Sequence, residues 1–206
     1  MQTQIFIHYF KLDELLSINS TTAIKALTKV EKQLIQQQRN LYLSYFLKSD
    51  LPLNITEDEY GKPYAVDHPN LSFNQSHSQA YYALAYTNTA TSIGIDIEDF
   101  SRKINMDALA KRYFHAEEIK KWEASGKDKM FWLKVWTTKE AVLKAHGLGI
   151  RLSLKTINTN IDDKRDFSLI HHEQLGTFRY HCFQMDSSIL TIAYKDIGAN
   201  AKIIFK

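Results

Sequence analysis

Residues 93–98 read Ile93-Gly94-Ile95-Asp96-Ile97-Glu98, and no other stretch of the 206-residue chain limits its fold so tightly. Side chains of a strand alternate between its faces, so Ile93, Ile95 and Ile97 share one side while Gly94, Asp96 and Glu98 share the other. The apolar side requires a core. The two carboxylates project together from Cα atoms about 6.6–6.8 Å apart, close enough to converge on one cation. Hard oxygen ligands, with no Cys/His cluster nearby, favour Mg²⁺ over Zn²⁺. The same alternation also describes a half-exposed strand whose acidic outer face serves solubility.

Around this strand the pattern separates strands from helices. β-Branched and aromatic residues predict a first strand over 4–10, and apolar steps of three and four predict a helix over 23–48 through Ala23, Ala26, Leu27, Val30, Leu34, Leu41, Tyr45 and Phe46. Pro52, Pro63, Pro69 and Gly61 predict irregular surface chain. Short strands at 71–73 and 80–86 flank the polar segment Asn74-Gln75-Ser76-His77-Ser78, which reads as a loop. Helical patterning runs from Met106 to Trp122 and again from Lys129 to His146, where Gly147 is a stop signal. Further strands follow at 166–173, 177–184, 188–195 and 201–205. Such segregation favours an α+β fold over a doubly wound sheet.

Composition limits the setting. The length is enough to bury a core without disulfides or structural metal. Cys182 is the single cysteine, which excludes an internal disulfide or a multi-cysteine metal site and suits a cytoplasmic protein. The N-terminus lacks a secretion signal, and no apolar run approaches the ~20 residues of a membrane span. Net charge is +3, too balanced to point to nucleic acid. Residues 1–91 carry 7 basic and 8 acidic groups, net −1, and residues 92–206 carry 19 and 15, net +4, so the second part suits an acidic partner.

Two further groups of residues can carry chemistry. On the helix 129–146, Trp136, Glu140 and Lys144 fall at i, i+4 spacing and share a face, so Glu140 can complete a metal site and Lys144 hold a phosphate, with Lys139 a further cation nearby. A stabilising Glu-to-Lys pair beside a core Trp gives the same spacing. The loop Ser76-His77-Ser78, following Lys62 and Pro63, offers hydroxyls and an imidazole to an anion, and equally reads as a simple polar turn. Other signatures fail. No serine lies in a G-x-S-x-G elbow, Gly147-Leu148-Gly149 lacks a third glycine in register, and His115-Ala116-Glu117 has no P-C-x-x-C to complete a deaminase zinc site. His171-His172-Glu173 lacks H-E-x-x-H spacing and reads as strand surface.

In order and spacing, Gly61-Lys62-Pro63, Phe73-Asn74-Gln75-Ser76-His77-Ser78, Gly94-Ile95-Asp96-Ile97-Glu98 and Trp136-Thr137-Thr138-Lys139-Glu140-Ala141-Val142-Leu143-Lys144 together resemble the 4′-phosphopantetheinyl transferase superfamily, Sfp-type. Arg39 with Leu41-Tyr42-Leu43 extends the likeness upstream. The resemblance implies a pseudo-dimer of two similar halves, here residues 1–91 and 92–206, each a long helix packed on a small antiparallel sheet with coenzyme A in the cleft between them. A faint echo between Tyr82-Ala83-Leu84-Ala85-Tyr86 and Leu190-Thr191-Ile192-Ala193-Tyr194 agrees.

The resemblance further implies that Asp96, Glu98 and Glu140 ligate Mg²⁺ with the coenzyme A pyrophosphate and that Lys144 contacts the phosphates. Arg39 and His77 are then expected to hold the 3′-phosphate, with Ser76 and Lys62 near the nucleotide. Lys25, Lys29 and Lys32 are candidates for additional contacts there. The acceptor is a serine of an apo acyl or peptidyl carrier protein, with Glu140 the first choice of base and Glu117 or a metal-bound water the others. A monomer is expected. A paralogue that binds coenzyme A or a carrier protein without catalysis is the alternative, and a hydrolase cleaving a small nucleotide pyrophosphate is a third reading. Whether the carrier serves fatty-acid, polyketide or nonribosomal-peptide synthesis is left open.

Overall fold

The chain begins with strand β1 (Gln4–Lys11) and a short helix α1 (Leu12–Leu16), continues through α2 (Lys29–Leu47), and then forms β2 (Ile55–Glu57), β3 (Pro63–Ala65), β4 (Ser72–His77), β5 (Tyr81–Thr87) and β6 (Ile93–Asp99). Three helices follow, α3 (Met106–Tyr113), α4 (Ala116–Ala124) and α5 (Lys129–His146), and then β7 (Phe167–His172), β8 (Gly176–Gln184), β9 (Ser188–Lys195) and β10 (Lys202–Phe205). This computed structural model describes residues 2–16, 27–89, 91–147, 152–162 and 164–206.

Two four-stranded sheets organise these elements, one ordered β10-β1-β5-β4 and the other β6-β9-β8-β7. The second sheet is antiparallel throughout. The first is mixed rather than antiparallel, because β10 returns from the far end of the sequence and lies parallel to β1, with Gln4 opposite Lys202 and Ile7 opposite Phe205. Parallel neighbours need a long crossover, and here most of the chain supplies it.

The isoleucine face of β6 meets the core as its alternation requires. Ile93, Ile95 and Ile97 pack with Leu190, Ile192 and Tyr194 of β9 against Ile5, Ile7, Ala83 and Ala85 of the first sheet. On the opposite face lies α5. A Cβ placed on Gly94 would stand 2.1 Å from the Ala141 carbonyl oxygen and 2.2 Å from the Ala145 nitrogen, so helix and strand touch through backbone at that point. Gly94→Ala therefore has to lift α5 off β6, and the expected loss reaches the upper end of the about 1–3 kcal/mol typical of overpacking. A urea midpoint equal to that of the parent would show that the contact is not this close.

Several local expectations change. α2 starts at Lys29 because Thr28 caps it reciprocally with Glu31, and residues 23–26 of the expected helix, with Lys25, lie outside the described residues. Its buried face is also rotated from the expected one: Ile35, Arg39 and Leu43 turn inward, whereas Val30, Leu34, Leu41 and Tyr45 are exposed. Leu, Tyr and Phe occur on more than one side of this helix, and contact with Phe73, Tyr82 and Leu84 of the sheet selects the stripe.

The proline-rich stretch is a β2–β3 hairpin rather than irregular chain. Asp58 Oδ1 accepts the Tyr60 and Lys62 amides at 2.9 Å each, Gly61 takes φ 83°, and Pro63 begins an edge strand where its missing N–H does no harm. The expected helix 106–122 is two helices, because Phe114 is extended and His115 caps α4 through a box with Glu118. Asn74 to His77, read as loop, belong to β4 and pair with β5 from Ser72↔Thr87 to His77↔Tyr82.

Candidate active site

Because the isoleucines of β6 point inward, Asp96 and Glu98 project on the side that α5 covers. The Lys144 ammonium reaches Asp96 Oδ1 at 2.7 Å, Ser76 Oγ at 2.9 Å and the Ile95 carbonyl at 3.2 Å. All three of its N–H donors are thereby used. Ser76 Oγ also donates to Asp96 Oδ1 at 2.9 Å. Three elements, β4, β6 and α5, thus meet at one carboxylate oxygen. The second oxygen, Asp96 Oδ2, is buried without a hydrogen-bond partner. A buried acceptor of that kind has lone pairs left for a partner outside the chain.

Side chains of β4, and of Ser78 just beyond it, reach β6 in register. Asn74 Oδ1 accepts the Ile95 amide at 3.0 Å, Ser76 bonds Asp96, and Ser78 Oγ donates to Asp99 Oδ1 at 2.7 Å. Asp99 Oδ2 additionally accepts the Gln79 and Ala80 amides at 2.9 and 3.2 Å. This ladder explains why a polar segment forms a strand: its donors and acceptors are satisfied by the neighbouring sheet. Asn74 and Asp99 escaped the sequence reading, although an Asn-x-Ser-x-Ser alternation beside Asp-x-Glu-Asp was the available signal.

Glu98 and Glu140 complete the acidic group. Burial, followed by repulsion from Asp96, pushes the Glu98 carboxyl up to about 7 against the opposing effects of Arg102 and a hydrogen bond from Trp136. Burial and then Asp96 likewise raise Glu140, with Lys144 and Arg102 opposing. Asp96 thus acts on Glu98 along β6 and on Glu140 across the β6–α5 contact. Arg102 forms an ion pair with Glu98, and its guanidinium carbon lies 5.9 Å from the centroid of Trp136, which stacks on Trp132 at 5.4 Å. Among the described residues, no three His, Cys, Asp or Glu groups are drawn together tightly enough to cage an ion as they stand.

Three further basic residues come from β4, α2 and the β2–β3 hairpin. Burial lowers the pKa of His77, and the charges of Lys144 and Lys32 lower it further against the pull of Asp96, which sets all four side chains in one electrostatic neighbourhood. Arg39 is buried with its guanidinium carbon 5.4 Å from the Phe73 ring centroid, near Tyr82 and Glu57. Lys62 Nζ donates to the Ala145 carbonyl at 2.7 Å at the C-terminal end of α5, and burial lowers its pKa to about 8.

Two expected members lie elsewhere. Lys139 is not a further cation beside the phosphates: its side chain is 0% exposed and pairs at 2.8 Å with Glu118 in the interior. Glu117 is an exposed residue in the first turn of α4, paired with Lys120 at 2.9 Å, and that lysine holds its carboxyl below the usual range. Its neighbour Glu118 is the buried one. The HAEE segment gives both glutamates the same local sequence, and the capping box decides which turns inward.

Residues 92–193, which include β6, α5 and most of β9, match the 4′-phosphopantetheinyl transferase superfamily. The chain is 32% identical over 124 residues to the 4′-phosphopantetheinyl transferase Sfp of Bacillus subtilis, covering 59% of this chain and 53% of that protein. It is 41% identical over 96 residues to the 4′-phosphopantetheinyl transferase HetI of a Nostoc species, covering 44% and 40%. A putative 4′-phosphopantetheinyl transferase of a Synechocystis species is 36% identical over 110 residues, covering 51% and 44%. The chain thus spans about half the length of these curated relatives. With its acidic strand and lysine-bearing helix inside the matched region, the chain belongs to the 4′-phosphopantetheinyl transferase superfamily.

Proposed function

We propose that this protein transfers 4′-phosphopantetheine from coenzyme A to a serine of an apo acyl or peptidyl carrier protein in a Mg²⁺-dependent reaction, releasing 3′,5′-ADP. The observation that carries this reading is the junction at Asp96, where Lys144 and Ser76 hold one oxygen and the other is buried and unpartnered. The donor set fits a hard cation, since Asp96, Glu98 and Glu140 offer oxygen alone. Mg²⁺ commonly binds through one or two carboxylates plus substrate phosphates and water, so a closed protein cage is not needed. Bound there, it would supply neutralisation of the charge that develops on the leaving 3′,5′-ADP.

The chain's own residues do the rest. Lys144 places a point charge beside the phosphates, and its contacts with Ser76 and Ile95 fix where that charge stands. In this reading His77, with Lys32 in its electrostatic surroundings, and Arg39 hold the 3′-phosphate, while Lys62 and Ser76 border the nucleotide. The serine oxygen forms a bond to the phosphorus that bears pantetheine, the phosphate oxygen of 3′,5′-ADP leaves with the bonding pair, and the serine proton passes to Glu140. The raised proton affinity of Glu140 suits that acceptance. Glu117, exposed and held ionised by Lys120, is poorly suited to it.

The excess of basic groups in residues 92–206 supports docking of an acidic carrier. One sheet draws on residues 1–91 and β10 and the other on residues 92–195, and the meeting of β4, β6 and α5 within one chain supports a monomer. A free, buried Cys182 suits the cytoplasm. Among the described residues no helix is long and apolar enough to cross a membrane.

Intact-protein mass spectrometry of apo carrier proteins incubated with the protein, coenzyme A and Mg²⁺ tests the reading. A mass gain of one phosphopantetheine, abolished by EDTA, is expected. Coenzyme A binding without such a gain on any carrier of a diverse panel would favour the non-catalytic paralogue.

A further inference from the structure

Arg102 occupies a singular place. It follows β6 in a turn closed by its own amide to the Asp99 carbonyl at 3.1 Å, and its carbonyl accepts from Lys129 Nζ at 3.0 Å at the start of α5. Its backbone is therefore tied to both elements that build the acidic group. The side chain is 32% exposed, pairs with Glu98, lies against the Trp136 ring and acts electrostatically on Glu140. One guanidinium thus stands among the carboxylates to which the preceding section assigns the metal.

We infer that Arg102 is the resident counter-cation of this site, holding Glu98 in the substrate-free protein and yielding it to the divalent cation only when a diphosphate arrives. The inference rests on the metal reading above. A divalent ion and a guanidinium cannot both take Glu98 without strong repulsion at short range. Asp96 and Glu98 each already have a protein cation, Lys144 for the first and Arg102 for the second. An ion that takes Glu98 as well as the unpartnered Asp96 Oδ2 must displace Arg102. A ligand carrying a diphosphate changes that balance, because its oxygens offer the planar fork of arginine a second, bidentate partner. Metal and diphosphate then bind with positive coupling, and linkage makes that coupling reciprocal. Arg102 acts here as a positioning residue.

Mn²⁺ binding, read by electron paramagnetic resonance as loss of the free-ion signal, tests this without any measurement of turnover. Titrations are made on the parent, Arg102→Met and Arg102→Lys, each with and without coenzyme A, after circular dichroism has confirmed equal folding. Without coenzyme A, Arg102→Met is expected to bind Mn²⁺ roughly tenfold more tightly than the parent, as removal of one adjacent positive charge implies. Added coenzyme A should then improve Mn²⁺ binding less than it does in the parent. Arg102→Lys, which keeps the charge, should stay near the parent. Equal or weaker Mn²⁺ binding by Arg102→Met, in a parent that binds the ion with coenzyme A, overturns the role of Arg102 alone. No Mn²⁺ binding by any of the three proteins, with or without coenzyme A, overturns the metal reading and this inference together.

Discussion

Glu140→Gln is expected to slow transfer of phosphopantetheine to an apo carrier protein by roughly 10²-fold or more, the scale at which loss of one group stabilising transition-state charge is felt. Its folding should be intact, because burial and the nearby Asp96 already disfavour the charged form of Glu140 and a neutral amide of the same shape relieves that opposition. Asp96→Asn should lose at least as much activity. The amide oxygen can still accept from Ser76 and Lys144, so the junction persists while the charge is removed. Initial rates followed by intact mass, alongside thermal midpoints, separate the two effects. Full transfer rates in either variant, with Mg²⁺ present, would refute the assignment of this site.

Lys139→Met should bring the largest loss of stability, about 3–5 kcal/mol, because it leaves a buried carboxylate without its countercharge. Glu118 accepts from the Thr159 amide at 2.8 Å, from Thr159 Oγ1 at 2.6 Å and from the His115 amide at 2.7 Å. Lys139 in turn donates to the carbonyls of Leu154, at 2.8 Å, and Ile157. A single ion pair therefore ties α4, α5 and the segment 154–159. Natural domains have about 5–15 kcal/mol of stability in all, so the variant should unfold at much lower urea concentration. A midpoint close to that of the parent would mean that the pair is not confined to the interior.

What could be read from the sequence follows a physical division. β6 and α5 carry their signals locally, in a period-two run of isoleucines and in i, i+4 spacing closed by Gly147, and the faces bearing Asp96, Glu98, Glu140 and Lys144 follow from those periods. Lys139 belongs to the same helix, yet its inward direction depends on Glu118, a partner 21 positions away that exposed Glu117 resembles in every local respect. The polar strand β4 was hidden for a related reason. Asn74, Ser76 and Ser78 are poor strand formers by propensity, and the groups that satisfy them lie on another sheet. On α2, two apolar stripes compete, and only the sheet beneath distinguishes Ile35 and Leu43 from Leu34 and Leu41. Arg102 lies beyond the end of the acidic motif in a turn, where residue type alone gives no direction.

The parallel seam between β1 and β10 sets an order on how this molecule can be made. Gln2 bonds the Asn200 carbonyl across a separation of 198 residues, and the adjoining strands pair from Gln4↔Lys202 onward. During synthesis β1 emerges early, with β5 able to cover one of its edges, while the other edge waits for β10. Contacts so distant along the chain slow folding, because a very large loop must close before they contribute. For that interval the nascent chain carries an open strand edge, the kind of surface that invites pairing with a second chain. Expression at lower temperature or with added chaperone should therefore favour yield more than changes near the acidic site, whose elements β4, β6 and α5 all precede β10 along the chain.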